Sequence, residues 1–142
     1  MGEQEKWFET TIRVRYEETD QMRVVYHANY LVWFEIGRTE LIRELGFSYR
    51  RFEDIGFMLP VSEVNAKYKS PARYDDELII RTKIAYCSSV RLTFAYEIYR
   101  AVDQALLVSG ETGHVWTDMG LKPVRLEKKA PELYALMKEY ES

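Results

Sequence analysis

Apolar and polar residues alternate with a period of two in several runs of this chain, the pattern of strands buried on one face. Over 77–87, Leu78, Ile80, Thr82, Ile84 and Tyr86 share one face, and Glu77, Arg81 and Lys83 share the other. Over 90–99 the apolar face reads Val90, Leu92, Phe94, Tyr96 and Ile98. A third such strand spans 105–117, after a hairpin turn at Ala101–Gln104. Residues 8–16 alternate in the same way. The chain after Gly56 is strand-like to about Lys69, where Ser70-Pro71 breaks it because proline has no N–H for a ladder.

Between the first two strand-like segments the period changes to 3.6. Tyr30, Trp33, Phe34, Gly37, Leu41 and Leu45 fall on one helical stripe. Asn29 is placed to cap the helix start, and Gly46 stands where a C-terminal glycine belongs. Glu35 and Arg38 lie one turn apart on the polar side, a spacing that allows them to pair. Gly37 inside the stripe costs helix propensity, which points to close backbone packing against a sheet. Residues 48–55 read as a short helical turn. Pro123 and Pro131 bracket an irregular stretch, and 132–140 form a short amphipathic helix with Leu133, Leu136, Met137 and Tyr140. One long helix with about five antiparallel strands is an α+β domain, and 142 residues without repeat or linker make it a single one, 1–142. One helix covers one face of such a sheet, so the remaining Tyr- and Trp-rich surface predicts an oligomer.

Composition narrows the function classes. With 46% hydrophobic and 30% charged residues the chain is an ordinary globular sequence. A net charge of −3 gives no electrostatic reason to expect nucleic acid. No apolar run reaches membrane-spanning length, and Met1–Trp7 has no signal-peptide core. Lys6 occupies the position where a myristoylation signal has Ser or Thr. Cys87 is the only cysteine, which forbids an internal disulfide and suits the cytoplasm. One Cys and two His are too few for a structural zinc site, and no cofactor or metal is expected.

The candidate chemistry lies at 16–30, Tyr-Glu-Glu-Thr-Asp-Gln-Met-Arg-Val-Val-Tyr-His-Ala-Asn-Tyr. An acidic cluster ending in Asp20 is followed seven residues later by His27, and the chain then enters the long helix. A carboxylate facing a helix N-terminus suits acyl transfer. The carboxylate attacks a carbonyl or activates water, and free N–H groups of the first turn hold the oxyanion. Glu17 and Glu18 compete with Asp20 for that role. For an arbitrary Asp, the bland alternative is a loop carboxylate capping the next turn. His27 has three roles open to it: backbone donor, acid or base near neutral pH, or packing. His114 reads as a packed or hydrogen-bonded strand histidine. Cys87 has no neighbour placed to lower its pKa and is not expected to be a nucleophile.

Three stretches carry a family resemblance: Tyr16–Asp20, Val25-Tyr-His-Ala-Asn-Tyr30 with Trp33-Phe-Glu-Ile-Gly-Arg38, and Tyr68-Lys-Ser-Pro-Ala-Arg-Tyr-Asp-Asp-Glu-Leu78. The chain resembles hotdog-fold acyl-CoA thioesterases of the 4-hydroxybenzoyl-CoA thioesterase type, above all the branch linked to the bacterial Tol–Pal system. The resemblance implies an antiparallel sheet wrapped around a long helix. It implies dimers or dimers of dimers with active sites at the dimer interface, and hydrolysis of acyl-CoA to free acid and CoA without a cofactor. The family's catalytic Asp falls on Asp20, and the position whose backbone N–H polarises the thioester carbonyl falls on His27, where the branch usually has His and the resemblance implies a catalytic role for it beside Asp20. Asn29 and Tyr30 match the residues that open the helix and wall the acyl pocket, and Tyr26 and Ala28 beside them join the expected substrate-binding set. Glu35 is placed either to hold a water or the CoA side of the site, or to pair with Arg38. Because a backbone role survives any side chain, His27→Ala is expected to be milder than Asp20→Ala.

One departure stands out. The turn after the third strand reads Cys87-Ser-Ser-Val-Arg91, with one positive charge where some members carry a basic cluster for the CoA phosphates. Lys67, Lys69 and Arg73 are the other cations available. Met22, Met58 and Met119 can line a flexible channel, while the Tyr and Trp near the helix suit a short or aromatic acyl group. A non-catalytic domain binding acyl-CoA or acyl carrier protein is the rival reading. The hydratase signature, an Asp followed five residues later by His with a Pro between, is absent.

Overall fold

The computed structural model describes residues 6–142. The sequence reading of Met1–Glu5 concerns residues outside that range. Five antiparallel strands form one sheet in the order β1-β3-β4-β5-β2: β1 (Phe8–Arg13), β2 (Val61–Tyr68), β3 (Glu77–Cys87), β4 (Arg91–Arg100) and β5 (Leu106–Val115). Helix α1 (Asn29–Glu44) packs across β1, β3 and β4. Three shorter helices follow the chain's turns: α2 (Tyr49–Asp54), α3 (Leu126–Lys129) and α4 (Pro131–Glu139). The α+β arrangement is the expected one. The short α3 lies in the stretch that the sequence left irregular.

The stripe of α1 buries Tyr30, Trp33, Phe34, Gly37, Leu41 and Ile42. Phe34 stacks on Tyr96 of β4, ring centroids 4.2 Å apart. Such a pair adds about 1 kcal/mol beyond its area. A Cβ on Gly37 would collide with the Thr82 hydroxyl and lie 2.8 Å from an Ile80 methyl, so glycine is what lets helix and sheet approach. Gly46 ends the helix at φ 92°, a conformation costly for any residue with a Cβ.

The structure corrects four expectations. Strand β1 stops at Arg13 rather than residue 16, because Tyr16–Glu18 turn as a short 3₁₀ helix and Val14 donates to the Asp76 carbonyl. Asn29 is not the cap: Ala28 holds that position, and Asn29 reaches back to give its side-chain N–H to the Glu18 carbonyl at 2.9 Å. Among the described residues no ion pair joins Glu35 to Arg38. The guanidinium is instead directed to the Tyr96 hydroxyl, 3.5 Å away. Tyr86 leaves the core face because β3 shifts register between Ile84 and Tyr86, so Tyr86 is exposed and Cys87 takes the buried place. The C-terminus satisfies the backbone there. The Glu141 carboxylate accepts the Cys87 N–H at 2.7 Å, and Ser142 N–H donates to the Ile84 carbonyl at 2.9 Å.

A polar chain runs through the core beneath α1. Tyr96 Oη lies 2.6 Å from Thr112 Oγ1, Thr112 Oγ1 lies 2.8 Å from His114 Nε2, and His114 Nδ1 lies 3.1 Å from the Leu59 carbonyl. A carbonyl only accepts, so the His114 proton sits on Nδ1 and Nε2 accepts from Thr112. Thr112 in turn accepts from Tyr96. All donors therefore point one way, from Arg38 toward Leu59. Burial pushes the His114 imidazole down to about 4. The Leu59 bond opposes that shift, and the Arg38 cation adds to it. Burial raises the Tyr49 and Tyr96 phenols, which stay protonated.

Candidate functional site

Loop 19–25 folds back on itself as a small hairpin, with a bridge between Thr19 and Val25. Asp20 N–H donates to the Val24 carbonyl and Arg23 N–H to the Asp20 carbonyl, both at 2.9 Å. The turn drives Arg23 to φ 64°, a left-handed conformation that costs a non-glycine residue roughly 1 kcal/mol. Val25 is buried and donates to the Ala72 carbonyl at 2.9 Å, which anchors the hairpin against the segment after β2.

The three neighbouring carboxylates have different jobs. Glu18 is buried. One of its oxygens accepts the Arg15 N–H at 2.7 Å and the other accepts the Trp33 indole N–H at 3.1 Å, so it ties the loop to α1. Glu17 pairs with Arg15 at 2.7 Å on the surface. Asp20 Oδ1 accepts the Met22 N–H at 2.8 Å, the turn-capping contact. Among the described residues its Oδ2 makes no hydrogen bond. Of the three, only Asp20 lines the adjoining cleft.

That cleft measures about 320 Å³. The loop contributes Asp20, Met22, Val24 and Val25, the start of α1 contributes His27 and Tyr30, and the end of β2 and its exit contribute Tyr68, Lys69, Ser70 and Pro71. Tyr30 is buried and its hydroxyl accepts the Ala72 N–H at 3.1 Å. Burial keeps that phenol's pKa raised against the opposing pull of the Ala72 bond, so it remains neutral. The His27 ring is exposed, 4.5 Å from the Tyr26 ring and 6.3 Å from the Tyr68 ring between centroids.

The backbone at the helix start is only partly used. Asn29 N–H donates to the Tyr26 carbonyl at 2.9 Å, and Tyr30 N–H to the His27 carbonyl at 3.3 Å. No side chain caps the helix, and among the described residues the N–H groups of His27 and Ala28 have no acceptor. Of these two free donors, that of His27 belongs to a residue lining the cleft that contains the Asp20 carboxylate, and that of Ala28 is the next along the chain.

The structure brings together Asp20, His27 and Tyr30 of the expected site. Tyr26 is exposed beside His27, Ala28 provides backbone, and Asn29 is engaged by Glu18. Glu35 is exposed on α1, outside the cleft, near the uncovered Leu31 and Val32. Tyr68 and Lys69 belong to the Tyr68–Leu78 block, in which no sequence signal gives Tyr68 a role. Of the three methionines only Met22 reaches the cleft. Met58 lines a separate groove and Met119 is exposed. Burial pushes the Cys87 thiol up to about 11, which leaves it inert. A groove of about 440 Å³ between β1 and α1 carries Glu9, Glu40 and Glu44, of which Glu9 pairs with Arg81 and Glu40 with Arg43, and it contains none of the expected site residues. Among the described residues no cluster of three or more His, Cys, Asp or Glu is placed to hold a metal, and no helix is long and apolar enough to cross a membrane.

Residues 14–135 match the family described as the thioesterase-like superfamily. The chain is 40% identical over 122 residues to YneP of Bacillus subtilis (strain 168), provisionally named an acyl-CoA thioesterase, covering 85% of this chain and 88% of that one. It is 37% identical over 124 residues to the acyl-CoA thioester hydrolase YbgC of Escherichia coli O6:H1, covering 85% and 90%. A solved structure, a DHNA-CoA thioesterase from Staphylococcus aureus, superposes with a TM-score of 0.89 at 34% identity, over 94% of this chain and 89% of that one. The sheet order, the helix across it and these matches converge: the chain belongs to the thioesterase-like superfamily and is a hotdog-fold enzyme of that family.

Proposed function

We propose that this protein hydrolyses acyl-CoA thioesters to free acid and coenzyme A in the cleft formed by loop 19–25, the start of α1 and the end of β2. One observation carries the reading: Asp20 shares that cleft with His27, whose N–H, like that of Ala28, has no acceptor among the described residues. The names of the relatives, acyl-CoA thioesterase and thioester hydrolase, supply the substrate class.

A thioester is already activated, so the protein must supply a carboxylate, oxyanion donors and positioning. The thioester carbonyl oxygen takes the His27 and Ala28 N–H groups. Asp20 removes a proton from water as the water oxygen bonds to the carbonyl carbon, or it attacks that carbon itself to give a mixed anhydride that water then opens. The tetrahedral oxyanion collapses, the C–S bond breaks, and the CoA thiolate leaves and is protonated. Losing one oxyanion donor in such a site costs about 3 kcal/mol of barrier. Lys69, the one Lys or Arg among the described residues of the cleft lining, is the candidate for a CoA phosphate among Lys67, Lys69 and Arg73.

The site also calls for a partner copy. Strand β2 is an edge strand eight residues long, and all but one of its residues are exposed, including Val61, Val64 and Tyr68. An open edge of that length, with Val61, Val64 and Tyr68 exposed along it, invites pairing with another chain. Tyr68 lies both on this edge and in the cleft, so pairing of β2 edges would place the site at a homodimer interface. Such a dimer working on CoA esters belongs in the cytoplasm, the setting that a free buried Cys87 suits.

The test is thiol release from butyryl-, palmitoyl- and benzoyl-CoA, with the matching acyl carrier protein ester alongside. Enzyme-like turnover of a CoA ester supports the reading. Binding without turnover would make the protein an acyl-CoA sensor instead.

A further inference from the structure

The Tyr68 hydroxyl donates to the carbonyl oxygen of His27 at 3.2 Å. The same oxygen accepts the Tyr30 N–H at 3.3 Å. The His27 C=O and the Ala28 N–H are the two ends of one planar peptide group. Two donors on the oxygen therefore hold the plane in which the Ala28 N–H lies. They also polarise it: a hydrogen bond accepted at the oxygen makes the N–H of the same unit a stronger donor. That N–H has no acceptor among the described residues.

The anchor is rigid. The chain leaving β2 is bound to the sheet, with Lys69 and Ser70 N–H both donating to the Leu107 carbonyl, at 2.8 and 3.2 Å. The Tyr68 ring stands edge-on to Tyr30, 5.3 Å between centroids, and lines the cleft beside Asp20 and His27. Tyr68 is half-exposed, so burial of its ring in this protomer does not account for a hydroxyl directed at the helix start.

We propose that Tyr68 is a positioning residue, whose hydroxyl sets the orientation and donor strength of the Ala28 N–H in the oxyanion hole. The inference rests on the thioester-hydrolysis reading above.

Tyr68→Phe removes the hydroxyl and keeps the ring. On whichever of butyryl-, palmitoyl- or benzoyl-CoA the wild type hydrolyses fastest, kcat should fall about tenfold, less than the loss of an oxyanion donor itself. KM and the thermal midpoint should stay put. The second readout is spectroscopic. With the same ester ¹³C-labelled at its carbonyl and bound to Asp20→Asn, the C=O stretch should lie below its free value. Adding Tyr68→Phe should move it back toward that value, which a merely packing residue would not do. An unchanged kcat overturns the inference, as does a raised KM with the carbonyl stretch unmoved. If Tyr68→Phe is fully active in an enzyme that Asp20→Asn silences, only this inference falls. If Asp20→Asn keeps wild-type turnover, or no ester is hydrolysed, the underlying reading falls and takes this one with it.

Discussion

Protonation of His114 should unlock the core. Its ring is 1% exposed, and both nitrogens are committed, Nδ1 to the Leu59 carbonyl and Nε2 to Thr112. A second proton would sit on Nε2 and turn an acceptor into a donor, facing a hydroxyl that already accepts from Tyr96. The new charge would also be buried under the Arg38 cation. The imidazole is pushed down to about 4 from an ordinary 6.5. Above pH 6.5 both folded and unfolded chains hold it neutral, so it makes stability no more pH-dependent there. As pH falls below 6.5 the unfolded chain takes up the proton and the folded one does not, so stability drops until about pH 4. The gap of about 2.5 pH units is worth about 3 kcal/mol in full, and about 2 kcal/mol of that is already lost at pH 5. Urea unfolding at pH 7 and pH 5 of wild type and His114→Gln isolates the effect, because carboxylates titrate in both. The wild type should lose about 2 kcal/mol more than the variant. Equal losses, or an NMR signal showing His114 protonated at pH 6 in the folded protein, would refute the reasoning.

Two further outcomes follow from the site's supports. Glu18→Ala strands the Trp33 indole N–H in the core and frees the loop that carries Asp20, so it should cost about 2 kcal/mol in urea unfolding and lower turnover as well; unchanged stability would show the contact to be idle. Val64→Lys places a charge on the open β2 edge and should convert the proposed dimer into a monomer by light scattering, whereas an unaltered dimer mass would move the interface elsewhere.

How far the chain could be read depends on what each signal encodes. The α1 stripe was legible because burial repeats at 3.6, and Gly37 because a glycine there costs propensity without a packing reason. Tyr86 was misplaced because alternation carries no mark of a register shift, and the groups that satisfy it, Glu141 and Ser142, lie more than fifty residues away. Asn29 looked like a cap because its residue type favours one, but the contact it makes is tertiary. The acidic cluster gave residue types and not roles. Glu18, Glu17 and Asp20 are chemically alike in the sequence, and burial against Trp33 separates them in space. Tyr68 had no signal of its own as an exposed aromatic at a strand end, because its meaning depends on where the His27 carbonyl falls.

The central claim is that Asp20 and the free N–H groups at the start of α1 form a thioester-hydrolysing site. The most direct measurement is kcat for acyl-CoA hydrolysis by wild type, Asp20→Asn and His27→Ala, with folding checked by circular dichroism. In Asp20→Asn kcat should fall by about a thousandfold, while His27→Ala keeps more activity because its N–H remains. A folded Asp20→Asn protein that hydrolyses the ester at the wild-type rate would contradict it.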